Sequence, residues 1–257
     1  MPPPTSGALR FAAYAYPPNE LGYCGPDAAS TLLEMVAAGA ADPDLHRLAR
    51  GFEGAWPYLE LIAHANGLAD PLDARVVEAY WIGNRLLDAV GTRRFGDSLE
   101  ERFRGRLPRS SWPLLADQVP GGALPHHSFH VFGVYPWLGL VREGTVDQPL
   151  HVLDRCRVRW GLVLEVDGAH AVVRSRALEW TGRALVLGEG RVERARLHRD
   201  GLALAGAVRP GDWCSLHWDW VCERLDRTRL AALRRRTSDQ LAVVNGVVVP
   251  APAAVLA

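Results

Sequence analysis

Cys156-Arg-Val-Arg-Trp-Gly161-Leu-Val-Leu-Glu-Val-Asp-Gly168-Ala-His-Ala-Val-Val173 is the stretch whose reading decides the fold. Residues 158–166 and 171–178 are dominated by branched apolar side chains and read as strands. Asp167-Gly168 between them signals a tight hairpin, because the glycine accepts the positive φ that such turns need. Further strands are expected near residues 184–187, 192–197 and 213–216, enough for a small β-barrel. Beyond it, Asp226-Arg-Thr-Arg-Leu230 starts a short helix to about residue 236. Residues 243–249, which contain Asn245-Gly246, read as a last hairpin, and the chain from Pro250 onward reads as a loose tail.

Toward the amino terminus the periodicity changes to that of helices. Pro26-Asp27 opens a helix through Leu32, Leu33 and Val36, with Gly39 just past its end. Segments 42–50, 57–66 and 70–90 follow, the last one long, with Val76, Val77, Tyr80, Trp81, Leu87 and Val90 at helical intervals. Ser98-Leu-Glu-Glu101 has the form of a capping box and starts a fifth helix. Between residues 108 and 137 prolines and glycines thicken, and His126-His127-Ser-Phe-His130 there leads into a strand-like run, 131–135. The expected class is α+β: a mainly α-helical domain over residues 1–148, then a β-barrel with a short helix and tail over residues 149–257.

A chain of 257 residues with 48% apolar and 23% charged side chains has ample material for a core. Lys plus Arg equals Asp plus Glu at 29 each, so no basic field recruits nucleic acid or an anionic membrane. No window approaches the ~18 apolar residues of a membrane span, and Met1-Pro2-Pro3-Pro4 has no basic-then-apolar leader pattern. A cytoplasmic location is the expectation. The four cysteines, Cys24, Cys156, Cys214 and Cys222, are far apart and form no CxxC pair, so free thiols are expected rather than a zinc knuckle or a disulfide scaffold. The many aromatic residues around the helices, such as Tyr14, Tyr58, Tyr80 and Trp81, read as core, and Gly188-Glu-Gly190 lacks the context of a phosphate loop.

The opening stretch resembles the start of the HypC/HupF hydrogenase maturation chaperones: a cysteine, a short strand, a glycine five residues on, then a hairpin into a second strand. Val208-Arg-Pro-Gly211-Asp212-Trp-Cys-Ser-Leu-His217-Trp-Asp-Trp-Val-Cys-Glu-Arg-Leu225-Asp226 is similar to that family's second hallmark, a Gly-Asp turn leading into a strand with a histidine. The resemblance implies a non-enzymatic assembly factor for nickel–iron hydrogenases. Its cargo would be iron carrying cyanide and carbon monoxide, and its partners the hydrogenase large subunit or other maturation proteins. It makes Cys156 the metal ligand and His217 its partner. Three features depart from the family: Cys156 is internal rather than amino-terminal, Trp160 stands where the family usually has proline, and Cys222 is an extra thiol. A buried cysteine acting as a small hydrophobe is the competing view of Cys156.

Two other arrangements stay open on the sequence. Cys24-Gly-Pro26, directly before a helix, resembles the nucleophile motif of papain-like cysteine peptidases and acyltransferases, with His127 or His130 as base and Asp154 as orienting acid. Those families usually place a glutamine upstream, where this chain has Asn19 and Glu20. In an extended strand His126 and His130 would share one side and His127 the other, too few imidazoles for a closed zinc site. Were Cys24 to lie close to these histidines, the set would suit a Cys/His nickel or iron site between the domains.

Overall fold

Residues 7–20, to which periodicity assigns no element, form α1 (Gly7–Glu20) in the computed structural model, which describes residues 6–41, 43–105 and 112–246. Ser6 caps α1 by accepting from the Leu9 amide at 3.2 Å. Every residue from Gly7 to Asn19 is buried, so α1 is wrapped on all sides instead of lying on the surface with one apolar stripe.

Around it stand α2 (Ala29–Ala38), stopped by Gly39 in the left-handed region, α3 (Pro43–Arg50) and α4 (Trp56–Ala65). The long helix expected over residues 70–90 is divided. It becomes α5 (Ala74–Trp81), capped by Asp73, and a 3-10 turn, Arg85–Ala89. Gly83 makes the break: its φ is 98°, and a Cβ there would meet Arg236 Cγ at 2.5 Å. α6 (Thr92–Phe103) begins well before Ser98, so the expected capping box lies inside a helix. α7 (Trp112–Ala116) is followed by α8 (His127–Phe129), which runs on as a π-helical turn, His130–Val134, where a strand was expected. α9 (Trp137–Arg142) and α10 (Asp147–Cys156) complete the helices before the sheet.

The strands are β1 (Arg159–Asp167), β2 (His170–Trp180), β3 (Leu185–Arg196), the short pair β4 (His198–Arg199) and β5 (Leu202–Ala203), β6 (Trp213–His217) and β7 (Trp220–Leu225). Five of them follow one another in the order β1-β2-β3-β7-β6, and β6 pairs back onto β1, so the mixed sheet closes into a ring. The seam is slender: β3 and β7 meet in one parallel pair, Arg196 with Trp220. Val163, Val173, Ala195, Leu216 and Val221 fill the interior. Gly161 is needed there because a Cβ would lie 3.2 Å from both Leu216 and Val173.

The last helix, α11 (Arg227–Gly246), is 20 residues long, not short. Leu230, Leu233, Leu241 and Val244 bury one side of it, and Asn245, read from sequence as a turn residue, uses its amide to accept from Leu185 N (2.9 Å) and donate to Leu185 O (2.8 Å). Residues 243–246 therefore extend the helix instead of opening a hairpin, and the rest of that expected hairpin and the tail lie outside the described residues. The class is α+β as expected, with helices before the sheet and one after it. One apolar cluster runs from α1 through Tyr58, Trp81 and Phe129 to Trp160, Trp220 and Leu233, so helices and ring share a core. Among the described residues no helix is long and apolar enough to cross a membrane.

Candidate metal centre

His217 closes β6 and is buried against α1. Its Nδ1 lies 2.6 Å from the carbonyl oxygen of Tyr14. A carbonyl only accepts, so Nδ1 carries the proton and Nε2 holds the lone pair. The carbonyl is free for this because of Pro18. The helical partner of Tyr14 O would be the amide of residue 18, and proline has none. Tyr14 fixes β6 a second time through its hydroxyl, which contacts Ser215 Oγ at 2.7 Å and donates to Glu223 at 2.9 Å. The Nε2 of His217 has no hydrogen-bond partner although it is fully enclosed.

Two further groups converge on it. Cys156 ends α10, and His127 opens α8 after its neighbour His126 accepts from Ser128 N as the helix cap. The Nε2 of His127 donates to Cys156 O at 2.7 Å, and the Tyr80 hydroxyl faces its Nδ1 at 3.3 Å. The rings of His127 and His217 stand 5.2 Å apart, nearly perpendicular, and Trp81 packs on both. One ligand atom from each of His127, Cys156 and His217 lies within 4.8 Å of the others, and all three residues are buried.

Burial sets the protonation states. Desolvation, with the neighbouring His217 adding to it, holds His127 well below the ordinary imidazole range. His217 is lowered to about 4, chiefly by burial. Burial pushes the Cys156 thiol up, and Cys24 nearby pushes in the same direction. The cluster is therefore uncharged: two neutral imidazoles and a thiol. Such a set is ill suited to nucleophilic attack and well suited to a transition metal, whose charge would expel the thiol proton. The enclosed lone pair of His217, tautomer fixed by a carbonyl, is the arrangement seen at ligating histidines. His127 could join by exchanging one of its two hydrogen bonds for a metal bond.

Charged residues brace this cluster from the ring side. Arg159 donates to Trp218 O and pairs with Glu193, and Trp218 N–H donates to Arg155 O at 2.8 Å, which locks the residue after His217 to the residue before Cys156. Asp154 is occupied by this scaffold. Its carboxylate accepts from Arg157 at 3.0 Å, Arg191 at 2.9 Å and the Leu178 amide at 2.9 Å. Burial alone would raise its pKa, but the arginines outweigh that and hold it below the usual range. The orienting-acid role expected for Asp154 is thus corrected: its oxygens face arginines, while both ring nitrogens of His127 face Tyr80 and Cys156.

The remaining sequence candidates are placed differently. Cys24 lies in an irregular segment and α2 does not begin until Ala29, so the cysteine does not directly precede a helix as the nucleophile motif would require. Burial pushes its thiol up to about 12. His130 has Nδ1 3.2 Å from the Tyr58 hydroxyl and an unpartnered Nε2, and Arg102 sits over the Tyr58 ring. The sequence pairing of Cys156 with His217 is brought together, whereas His127, considered only as a base for Cys24 or within the His126–His130 set, proves to be their neighbour. The signal available for Tyr14 was Pro17-Pro18, four residues beyond the carbonyls those prolines release.

Fold and cluster together define an α+β protein with a buried Cys/His centre between its helices and its strand ring. The chain belongs to a family of unknown function, DUF6390, whose model matches residues 3–251. No curated protein and no solved structure matches it.

Proposed function

We propose that the protein is a non-enzymatic metal-handling accessory factor. In this reading Cys156, His127 and His217 hold a transition metal, and the cargo is the iron of a nickel–iron hydrogenase centre on its way to the large subunit. The observation that carries it is the convergence of Cys156 and His217, the two residues the HypC/HupF resemblance singles out, in one enclosed cluster. A thiolate suits low-spin iron bearing cyanide and carbon monoxide, and two neutral imidazoles add nitrogen donors that also suit iron. The ring β1-β2-β3-β7-β6 is read as the HypC-like, OB-like barrel, and the helices as the docking surface for the immature large subunit or other maturation proteins. His127, on α8, would take up part of the work that a free chain end does in the smaller family members.

The test is to purify the chain anaerobically from cells that make the hydrogenase and record its infrared spectrum. The expected result is a set of cyanide and carbonyl stretching bands on protein-bound iron that Cys156→Ala abolishes. Bands that persist in Cys156→Ala, or their absence from the wild-type chain, would refute the cargo.

A further inference from the structure

His127, Cys156 and His217 are all buried, so cargo reaches them only when something packed on them moves. Trp218 is the neighbour placed to do so. It follows His217, packs in one apolar cluster with Cys156 and is 4% exposed. Tyr23, itself 44% exposed, stacks on it with ring centroids 4.4 Å apart and planes 24° from parallel. With Asp219, Trp218 makes the two-residue turn between β6 and β7, beyond the pair His217–Trp220. Its φ is 50°, in the left-handed region, where such turns ordinarily take glycine or asparagine and a bulky side chain is strained. The backbone is pinned there all the same. Trp218 N–H donates to Arg155 O at 2.8 Å, Trp218 O accepts from Arg159, and Arg155 pairs with Asp219 at 3.2 Å. The ring has no such anchor: its Nε1–H is enclosed without a hydrogen-bond partner, a cost that turning out to water removes.

Resting on the metal-handling reading above, we propose that Tyr23 and Trp218 form the gate of the centre: closed under Tyr23, the Trp218 ring covers Cys156 and His217, and when Tyr23 lifts away it turns outward and opens the way for cargo. A pinned backbone at a strained φ, carrying a ring held by packing alone, is what such a cover requires. Glycine would suit the turn better and would cover nothing. Tyr23 is mounted to let go. Residues 21–28 belong to no helix or strand, and Gly22 beside it has φ 72° with open space where a side chain would stand. The segment stays tethered at its base, where Tyr23 N–H donates to Pro18 O at 2.9 Å and Asn19 donates to Cys24 O at 2.8 Å. Opening is therefore a swing of two side chains, with the ligands themselves unaltered.

Labelling of the full, reduced, metal-free chain with N-ethylmaleimide under native conditions, mapped to each cysteine by peptide mass spectrometry, reads the gate without any metal. Cys214 and Cys222, buried on β6 and β7, serve as internal controls for general loosening. In Tyr23→Ala, Cys156 is expected to label about two- to tenfold faster than in wild type, the range that loss of one aromatic stack allows. Tyr23→Phe, which keeps the stack, labels at the wild-type rate, Trp218→Ala labels Cys156 at least as fast as Tyr23→Ala, and the control cysteines keep their wild-type rates throughout. Zinc exchange with a chelating dye adds a second readout: in Tyr23→Ala uptake and release quicken together while Kd stays unchanged, because a gate alters rates and not the equilibrium. Unchanged Cys156 labelling in Tyr23→Ala, a rise shared by Cys214 and Cys222, or a weaker Kd at an unchanged uptake rate overturns the gate and leaves the metal-handling reading standing. Failure of wild type to bind zinc overturns the centre instead, and the labelling rates still decide whether Tyr23 and Trp218 control access to Cys156.

Discussion

His130 shows how burial, with a nearby cation, turns a side chain into a pH-dependent contribution to stability. Its folded-state pKa lies at about 3, against 6.5 for the free side chain, because desolvation and then Arg102 oppose its charge. Between those values the unfolded chain binds a proton that the native chain does not, so stability is fully present above about pH 6.5 and is lost as pH falls toward 3. The denaturation midpoint, measured at a series of pH values from about 7 to about 4.5, is expected to fall less steeply in His130→Gln than in wild type; equal slopes would show that the group titrates normally. At this scale Cys156 and His217 were legible in the sequence because each lies in an ordered block with recognisable neighbours. Their neighbour His127 was not, because its placement depends on conformation. As part of a strand it would have pointed away from its neighbours; as the first residue of α8 it is turned onto Cys156. The orienting-acid reading of Asp154 failed for a related reason: a lone acid just before the first strand carries no mark of the three donors that occupy it.

Among the elements that periodicity leaves unassigned, α1 matters most to the site. Pro17-Pro18 would ordinarily end a helix, yet here the helix continues to Glu20 and the prolines release carbonyls for use elsewhere. That gives Pro18 a role opposite in sign to its local cost. Pro18→Ala restores an amide that competes with His217 for Tyr14 O, and it removes a residue about 3 kcal/mol less favourable than alanine inside a helix. The expected outcome is a variant at least as stable as wild type but with zinc affinity lowered about tenfold, near the low end of what a lost ligand-orienting contact costs. Calorimetric titration with zinc alongside chemical denaturation checks both signs, and a variant that binds zinc as tightly as wild type would show that Tyr14 O does not orient the ligand. α11 teaches a similar lesson. Asn245-Gly246 looks like a hairpin turn locally, but Leu241 and Val244 have a buried face to occupy and Asn245 has the edge of β3 to satisfy, so tertiary contacts decide the conformation.

For the molecule as a whole, the alternation of strands and the α+β order of elements could be read from periodicity, while the way the two halves meet could not. The apolar cluster continuous from α1 to α11 and the ion pairs that cross it, such as Arg236 with Asp88 at 2.6 Å and Arg229 with Glu78 at 2.8 Å, depend on residues far apart in sequence. The centre sits on that junction, with His127 contributed before the strand ring and Cys156 and His217 at its edge. A metal bound at the proposed centre would hold elements of both halves and so stabilise the native chain against the unfolded one. At a free zinc concentration of about 100 times Kd the linkage is about 2.7 kcal/mol, which for a chain of this size raises Tm by about 5–10 °C. The most direct measurement of the centre is therefore thermal unfolding with and without zinc, for wild type and for Cys156→Ser, His127→Gln and His217→Gln. The structure predicts one transition shifted upward by zinc in wild type and unshifted in all three variants; no shift in wild type, or an undiminished shift in any variant, would contradict a shared metal centre.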